Sequence, residues 1–410
     1  YYIHEVSFLY SYTISFSLLL VGNKINNGSY FKRLFLTSFI SFIVSFPITI
    51  YFFNQINILS VFYNMLFVPF ISMIVFPLSI ITYIIPFFEP IFNVFISLME
   101  FLALKFNSIS FSKLIFPSLP RYYYILYIVG VVIFIYFYNK KIISVLPILL
   151  LALFNYLYPV FFNQNYLMFL DVGQGDSILI HSKDKTMLVD TGGVINYSRE
   201  KWQERKNEKS LTNYVTIPVL KKLGIRKIDY LVLTHGDFDH MGEALKLIKQ
   251  YRVEDIYLNQ GNFNLLEKKV IKKYRHVYQI REKEEIVLGN INIVQINKEF
   301  SDENDSSSIL LMYYKNKKIL LTGDASKKSE EYILNKYNIG KIDVLKIGHH
   351  GSKTSTSDEL LEELRPSLAI ISCGKNNRFN HPHKETIDKL KEYRIKYLRT
   401  DISGTIRIDL

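Results

Sequence analysis

The sequence predicts an α-helical transmembrane bundle over residues 1–160 followed by an α/β domain over residues 161–410. Three observations carry that expectation. Charge is unevenly spread: of 49 Lys and Arg and 37 Asp and Glu, residues 1–160 hold only eight and three, which leaves 41 and 34 for the rest. Apolar runs long enough to cross a hydrocarbon core of roughly 30 Å recur only in the first part. Beyond Pro159 the pattern changes to short apolar runs punctuated by Gly and Asp, the mark of strands and tight turns.

In the first part the runs fall near 6–22, 34–53, 58–85, 90–106, 122–138 and 142–159, so that about six spans are expected. Pro69 and Pro77 interrupt the third run, and the fourth is only moderately apolar, so either is open to a broken, re-entrant or interfacial reading. Lys24, Lys32 and Arg33 follow the first run, and Lys140 with Lys141 form the turn before the last. The positive-inside rule makes both loops cytoplasmic and sends residues 161–410 to the extracellular side, although Lys113 and Arg121 then fall in an outside loop. The acids are limited to Glu5, Glu89 and Glu100, of which only Glu100 falls inside a run, and so sparse a set disfavours an ion-coupled pump. Cys373 is the only cysteine, so no internal disulfide framework is available. The chain opens on Tyr1 inside an apolar stretch, and the expectation is the C-terminal part of a longer protein.

The second part is organised around Leu231–Gly242. An apolar run ends abruptly in His235, Asp237, Asp239 and His240, as a strand would if it delivered a metal loop. Mixed imidazole and carboxylate ligands suit a borderline or moderately hard divalent ion such as zinc or manganese. The bland reading is an aspartate capping the helix that begins near His240. It explains one carboxylate and leaves two histidines unused.

The remaining elements repeat the pattern of a strand followed by metal-type or phosphate-type residues. Strands are expected at 166–170, ending in Asp171 and VGQGD, at 177–181, and at 187–189, ending in Asp190. Gly173 and Gly175 permit a tight turn that brings Gln174 and Asp176 toward the strand ends, with a plain hairpin as the alternative. Residues 196–209 read as a charged surface loop and 211–223 as a helix leading to a strand at Ile228. Later strands at 319–322, 344–347 and 368–372 precede Asp324, then His349, His350 and Ser352, then His381 and His383. Six of the nine histidines sit at such strand ends, and this clustering is what lifts them above isolated surface histidines.

Taken in order, DVGQGDS (171–177), LVDTGG (188–193), THGDFDH (234–240), ENDSSS (303–308), LLTGD (320–324), LKIGHHGSKTS (345–355) and NHPH (380–383) resemble the C-terminal domain of the ComEC family of DNA-uptake channels. More broadly, the domain resembles a metallo-β-lactamase-fold hydrolase, whose HxHxDH loop appears here as His235 to His240. Residues 1–160 fit the second half of that family's competence region. The resemblance implies an αββα sandwich with two divalent ions, zinc or manganese, at one edge. It places Asp324 at the bridging position and His349 or His350 at a later ligand. It also implies a membrane channel that passes one DNA strand while the domain, outside the cell, degrades the other. The partners so implied are DNA, the lipid membrane, and the DNA receptor and translocase of the competence machinery.

Two departures from the wider pattern affect mechanism. Asp237 stands where the second His is usual, and no His lies between His276 and His349 to complete the first metal site. Asp305 or Asn304 is open to fill that gap, and Ser306 to Ser308 are open to bind phosphate instead. The expected roles follow. His235 and Asp237 bind the first ion, while Asp239, His240 and a histidine of the 349–350 pair bind the second. His381 protonates the leaving group or binds substrate, and Asp190 supports the metal loop from beneath. Lys346 and Lys353 hold the DNA backbone, and Gln174, Asp176, Ser306, Ser307 and Ser352 line the substrate. Other classes remain open: a membrane-tethered hydrolase of a small ester or lactam, and a non-catalytic DNA-binding domain.

Overall fold

A computed structural model of the chain describes residues 5–25, 28–138, 142–162, 164–193, 210–261 and 263–410. The expected charged loop at 196–209 and the Lys140–Lys141 turn lie outside the described residues. The chain divides into two compact units, Tyr1–Phe161 with Lys221–Gly224, and Phe162–Leu220 with Ile225–Leu410.

The first unit is helical. Among the described residues four helices are long and apolar enough to cross a membrane: Tyr30–Phe53, Ser60–Ile84, Pro86–Asn107 and Ile143–Phe161. Two of the six expected spans, in Val6–Gly22 and Arg121–Phe137, are shorter apolar helices. Lys32 and Arg33 lie in the first turn of Tyr30–Phe53 rather than in a loop, because Ser29 caps that helix with its side chain. That helix stops at Asn54, which adopts the left-handed conformation, and Asn54 Nδ2 donates to Phe116 O at 3.0 Å and Ser118 Oγ at 2.9 Å. The cap leads into a short antiparallel pair, β1 (Gln55–Asn57) with β2 (Lys113–Ile115). Pro69 and Pro77 do not break the third run. Between them the helix widens into a π turn at Ile71–Val75, which relieves the clash of a proline ring with the preceding turn. A core of Ile40, Ile43, Phe46, Ile50, Phe116, Tyr127, Phe134 and Ile148 joins the more buried helices.

In the second unit the described residues form two seven-stranded sheets. The first contains β3 (Tyr166–Phe169), β4 (Ile178–Ser182), β5 (Lys185–Val189), β6 (Ile228–Leu233), β7 (Val253–Leu258) and β8 (Val277–Gln279). The second contains β9 (Glu285–Leu288), β10 (Ile291–Gln295), β11 (Leu310–Tyr314), β12 (Lys317–Leu321), β13 (Val344–Lys346), β14 (Leu368–Ile371) and β15 (Lys396–Arg399). The chain then returns to the first sheet as β16 (Ile406–Asp409), antiparallel to β3. Each sheet is antiparallel on one side and parallel on the other, with β5–β8 and β12–β15 as the parallel halves.

Period-two alternation builds the layers. Leu310, Met312 and Tyr314 enter a core shared by both sheets, along with Ile178, Ile180, Val189 and Val232. Their neighbours Ile309 and Leu311 pack with Ile333, Leu360, Leu364 and Leu390 of the covering helices. This is the expected sandwich, helices outside and two sheets within. At one edge the ends of β5, β6, β12 and β13 deliver Asp190, His235, Asp324 and the 349–350 turn.

Candidate metal centre

The loop after β6 folds tightly. Asp237 takes the N-cap position of the short helix Phe238–Met241, but its side chain makes no capping hydrogen bond. The bland capping reading therefore fails, and the carboxylate is left for another use. Gly236 is required by a close approach: a Cβ there would stand 2.0 Å from Asn264 Nδ2 and 2.1 Å from Glu303 Oε1. Asn264 Nδ2 donates to Gly236 O at 2.6 Å and to Glu303 Oε1 at 3.0 Å, which fixes the loop from the side.

Asp190 holds the loop from below. Its Oδ1 accepts from Thr234 N at 2.8 Å, and its Oδ2 accepts from Thr234 Oγ1 at 2.7 Å and from His240 Nδ1 at 2.8 Å. With its Nδ1 proton given to Asp190, His240 presents Nε2 as the ligand nitrogen. His350 is set the same way, its Nδ1 donating to Ser372 O at 2.9 Å. It sits in a turn in which His349 and His350 both have positive φ, 45° and 54°, a conformation costing roughly 1–2 kcal/mol per residue. Strain of this kind is characteristic of functional turns.

The two Nε2 atoms lie 3.4 Å apart. Asp324 closes the group, Oδ1 at 3.2 Å from His240 Nε2 and Oδ2 at 3.4 Å from His350 Nε2, and Asp239 Oδ2 is 3.3 Å from His350 Nε2. Ligands 2.0–2.2 Å from one tetrahedral ion stand about 3.3–3.5 Å from each other. The donor set thus fits a divalent ion in both chemistry and spacing. Ligand atoms of Asp176, His240, Asp324 and His350 also fall within 4.8 Å of one another. Asp176, however, approaches the Nδ1 sides of the two histidines, at 3.9 and 3.7 Å, and pairs with Lys346 Nζ. Asp239, which faces a ligand nitrogen, is the better fourth ligand.

The electrostatics agree. Burial disfavours a proton on His240, yet Asp324 and Asp190 outweigh it and raise its pKa well above the ordinary value. His350 is raised in the same way by Asp324 and Asp239. Burial pushes the Asp239 carboxyl up, but His350 and His240 bring it down to about 2. Such opposed shifts describe a cluster built around positive charge, for which protons and a divalent ion compete.

The other expected first-ion ligands are more loosely set. His235 is fully buried, its Nδ1 is 3.1 Å from Thr234 Oγ1, and its Nε2 has no hydrogen-bond partner among the described residues. Asp237 Oδ2 lies 3.6 Å from that nitrogen with its side chain 47% exposed, and His349 Nε2 lies 3.8 Å from Asp324 Oδ2. Asp305 does not fill the gap, since its Oδ1 accepts from the hydroxyls of Ser326 and Ser329.

Several residues expected to contact substrate are engaged within the protein. Lys346 is fully buried, donates from Nζ to Gly323 O at 2.8 Å and pairs with Asp176, so its ammonium does not reach a surface phosphate. Asp176 is itself 1% exposed. Ser306 Oγ both donates to Phe300 O and accepts from Phe300 N at 2.9 Å, which pins its loop. Ser307 is fully buried and accepts from Asp324 N at 3.3 Å, so it supports a ligand. Ser352 accepts from Thr354 Oγ1 at 2.9 Å, and Gln174 Oε1 accepts from Gly374 N at 3.2 Å. Lys353 alone of the two lysines is exposed. His381 packs beside His349, His350 and His383. Burial, then the neighbouring His350, His349 and His383, hold it down to about 4, so at neutral pH it suits substrate binding better than proton donation. Asn264 and the Ser372 carbonyl were not singled out from sequence. The Asn264–Glu267 capping box was a readable signal for the first; nothing in the sequence marks the second.

The family model described as Metallo-beta-lactamase superfamily matches residues 170–375, half of the chain, and covers the centre just built. The chain belongs to that superfamily. A second model, Competence protein, matches residues 1–141. Beside this metallo-beta-lactamase chain stand ComE operon protein 3 of Bacillus subtilis, 32% identical over 432 residues, 99% of this chain and 56% of the relative; Recombination protein 2 of Haemophilus influenzae, 35% identical over 58% of this chain and 28% of the relative; and competence protein ComA of Neisseria gonorrhoeae, 31% identical over 58% and 31%. The ComEC resemblance read from the motifs is thereby established, and the chain spans about half the length, or less, of these relatives. The superfamily fold and the buried Asp and His cluster make the second unit a metal-binding, hydrolase-type domain.

Proposed function

We propose that this chain takes part in DNA uptake during transformation, with residues 1–160 as a multi-pass membrane domain and residues 161–410 as an extracellular metal-dependent phosphodiesterase. The reading gives the membrane domain the passage of one DNA strand and the hydrolase the other. The observation that carries the enzymatic part is the convergence of His240 Nε2, His350 Nε2, Asp324 and Asp239 at 3.2–3.4 Å, with Asp190 and Ser372 fixing the ring orientations. The names of the relatives support the setting.

Asp239, His240, His350 and Asp324 would hold one ion, and His235, Asp237 and His349 with Asp324 a second, zinc or manganese in each case. When bound, the ions would supply an activated water near neutral pH and neutralise charge developing on the leaving oxygen. The chain's own residues do the rest. Asp190 keeps the proton of His240 on Nδ1, and the Asp176–Lys346 pair packs behind both histidines and steadies Asp324, 3.7 Å from Lys346 Nζ. Exposed Lys353 and buried His381 would bind a phosphate flanking the scissile bond.

The discriminating experiment compares kcat/KM of the whole chain in detergent on a DNA phosphodiester, a carboxylic ester and a β-lactam. Preference for the phosphodiester supports the reading, and preference for either small substrate rejects it.

A further inference from the structure

We infer that the cavity beside the metal loop is a nucleobase pocket, which holds a single strand in register with the metal centre. The inference rests on the phosphodiesterase reading and names what that site recognises. The cavity has a volume of about 520 Å³ and is lined by Asn259, Gln260, Glu299, Phe300, Glu303 and Ser306, among others. It adjoins the centre by two short links. Ser306 precedes Ser307, whose hydroxyl accepts from Asp324 N at 3.3 Å, and Glu303 is joined through Asn264 to Gly236 of the metal loop.

Its chemistry matches a base better than a phosphate or an apolar ligand. Asn259 is 4% exposed, donates from Nδ2 to Ser306 O at 3.4 Å, and leaves its buried Oδ1 without a partner among the described residues. A buried acceptor left unpaired is costly, and a ligand donor is one way to satisfy it. Glu299 and Glu303 add acceptors, so the edge that fits carries N–H groups, as the amino-bearing bases do. Phe300 supplies the stacking face. Lys298 Nζ lies 4.9 Å and Lys328 Nζ 5.1 Å from its ring centroid, and Tyr332 stands edge-on at 5.9 Å. The Phe300 ring is partly exposed, and a lysine over a ring at an exposed site is held by only about 0.5–1 kcal/mol. An incoming base displaces it readily, and the released ammonium is then free to meet the flanking phosphate. Aromatic faces interleaved with cations are how single strands are held with little sequence preference.

The test uses the whole chain in detergent micelles with chelator present, and follows fluorescence anisotropy of a labelled single-stranded oligodeoxynucleotide against a strand of the same length built from abasic sites. The expected result is tighter binding of the base-bearing strand by about 10-fold or more, lost in Phe300→Leu, which keeps the packing, and kept in Phe300→Tyr, which keeps the stack. Equal binding of both strands, binding of neither, or a preference that survives Phe300→Leu overturns the pocket. Cleavage after manganese is added is read separately. Base-dependent binding without cleavage retains the pocket and rejects the phosphodiesterase, whereas cleavage without base dependence does the reverse.

Discussion

His240 and His350 present their Nε2 atoms to each other at 3.4 Å, while the opposite nitrogen of each ring is already committed, one to Asp190 at 2.8 Å and the other to Ser372 O at 2.9 Å. Two imidazoles that face each other in this way need a cation between them. The relationship links a buried carboxylate outside the ligand set to the affinity of the site.

Asp190→Ala removes the acceptor that fixes the His240 tautomer. Loss of such a partner typically weakens metal affinity 10- to 100-fold. Competition of the whole chain against a chromophoric chelator should show that loss with unchanged far-UV circular dichroism. Unchanged affinity would detach Asp190 from the centre.

The pKa shifts set the direction of a pH effect. His240 is raised above its ordinary value because Asp324 and Asp190 outweigh burial. The stability this gives the metal-free fold is full below the unfolded value of about 6.5 and is lost as pH rises through the raised folded value. Metal binding runs the other way, since the ligand nitrogens must first lose their protons. Melting temperatures with chelator should therefore fall as pH rises above neutrality, while the stabilisation by added zinc or manganese grows. A zinc or manganese shift that shrinks as pH rises would contradict this.

Lys346→Met leaves Asp176 charged and unpaired in a site where both side chains are at most 1% exposed. Removing one partner of a buried pair costs about 3–5 kcal/mol, whereas replacing both with apolar residues is often close to neutral. Denaturant midpoints should drop sharply in Lys346→Met and largely recover in the double variant with Asp176→Leu. A single variant as stable as the parent would remove the pair from the account.

Much of this architecture was readable from the chain. Apolar runs ending in Asp or His marked β5, β6, β12 and β13, because a strand that stops at a sheet edge must change residue type there. The spans of the first unit were less legible: hydropathy gave the apolar runs, but the capped start at Ser29 and the π turn at Ile71–Val75 depend on local hydrogen bonding. Side-chain direction was the main loss at the site. Ser306, Ser307, Ser352 and Asp176 look alike in a polar loop whether they face a ligand or clasp the loop itself. Lys346 is instructive, since Leu345 faces the helices and Val344 the core between the sheets. Alternation alone puts Lys346 on the inner side with Val344.

The most direct test of the central claim is cleavage of single- and double-stranded DNA by the whole chain with manganese, zinc, magnesium or chelator, beside Asp239→Asn. The account predicts metal-dependent cleavage that the chelator stops and that Asp239→Asn abolishes without unfolding the protein. Cleavage that persists in the variant, or a folded, metal-loaded protein that leaves both DNAs intact, would contradict it.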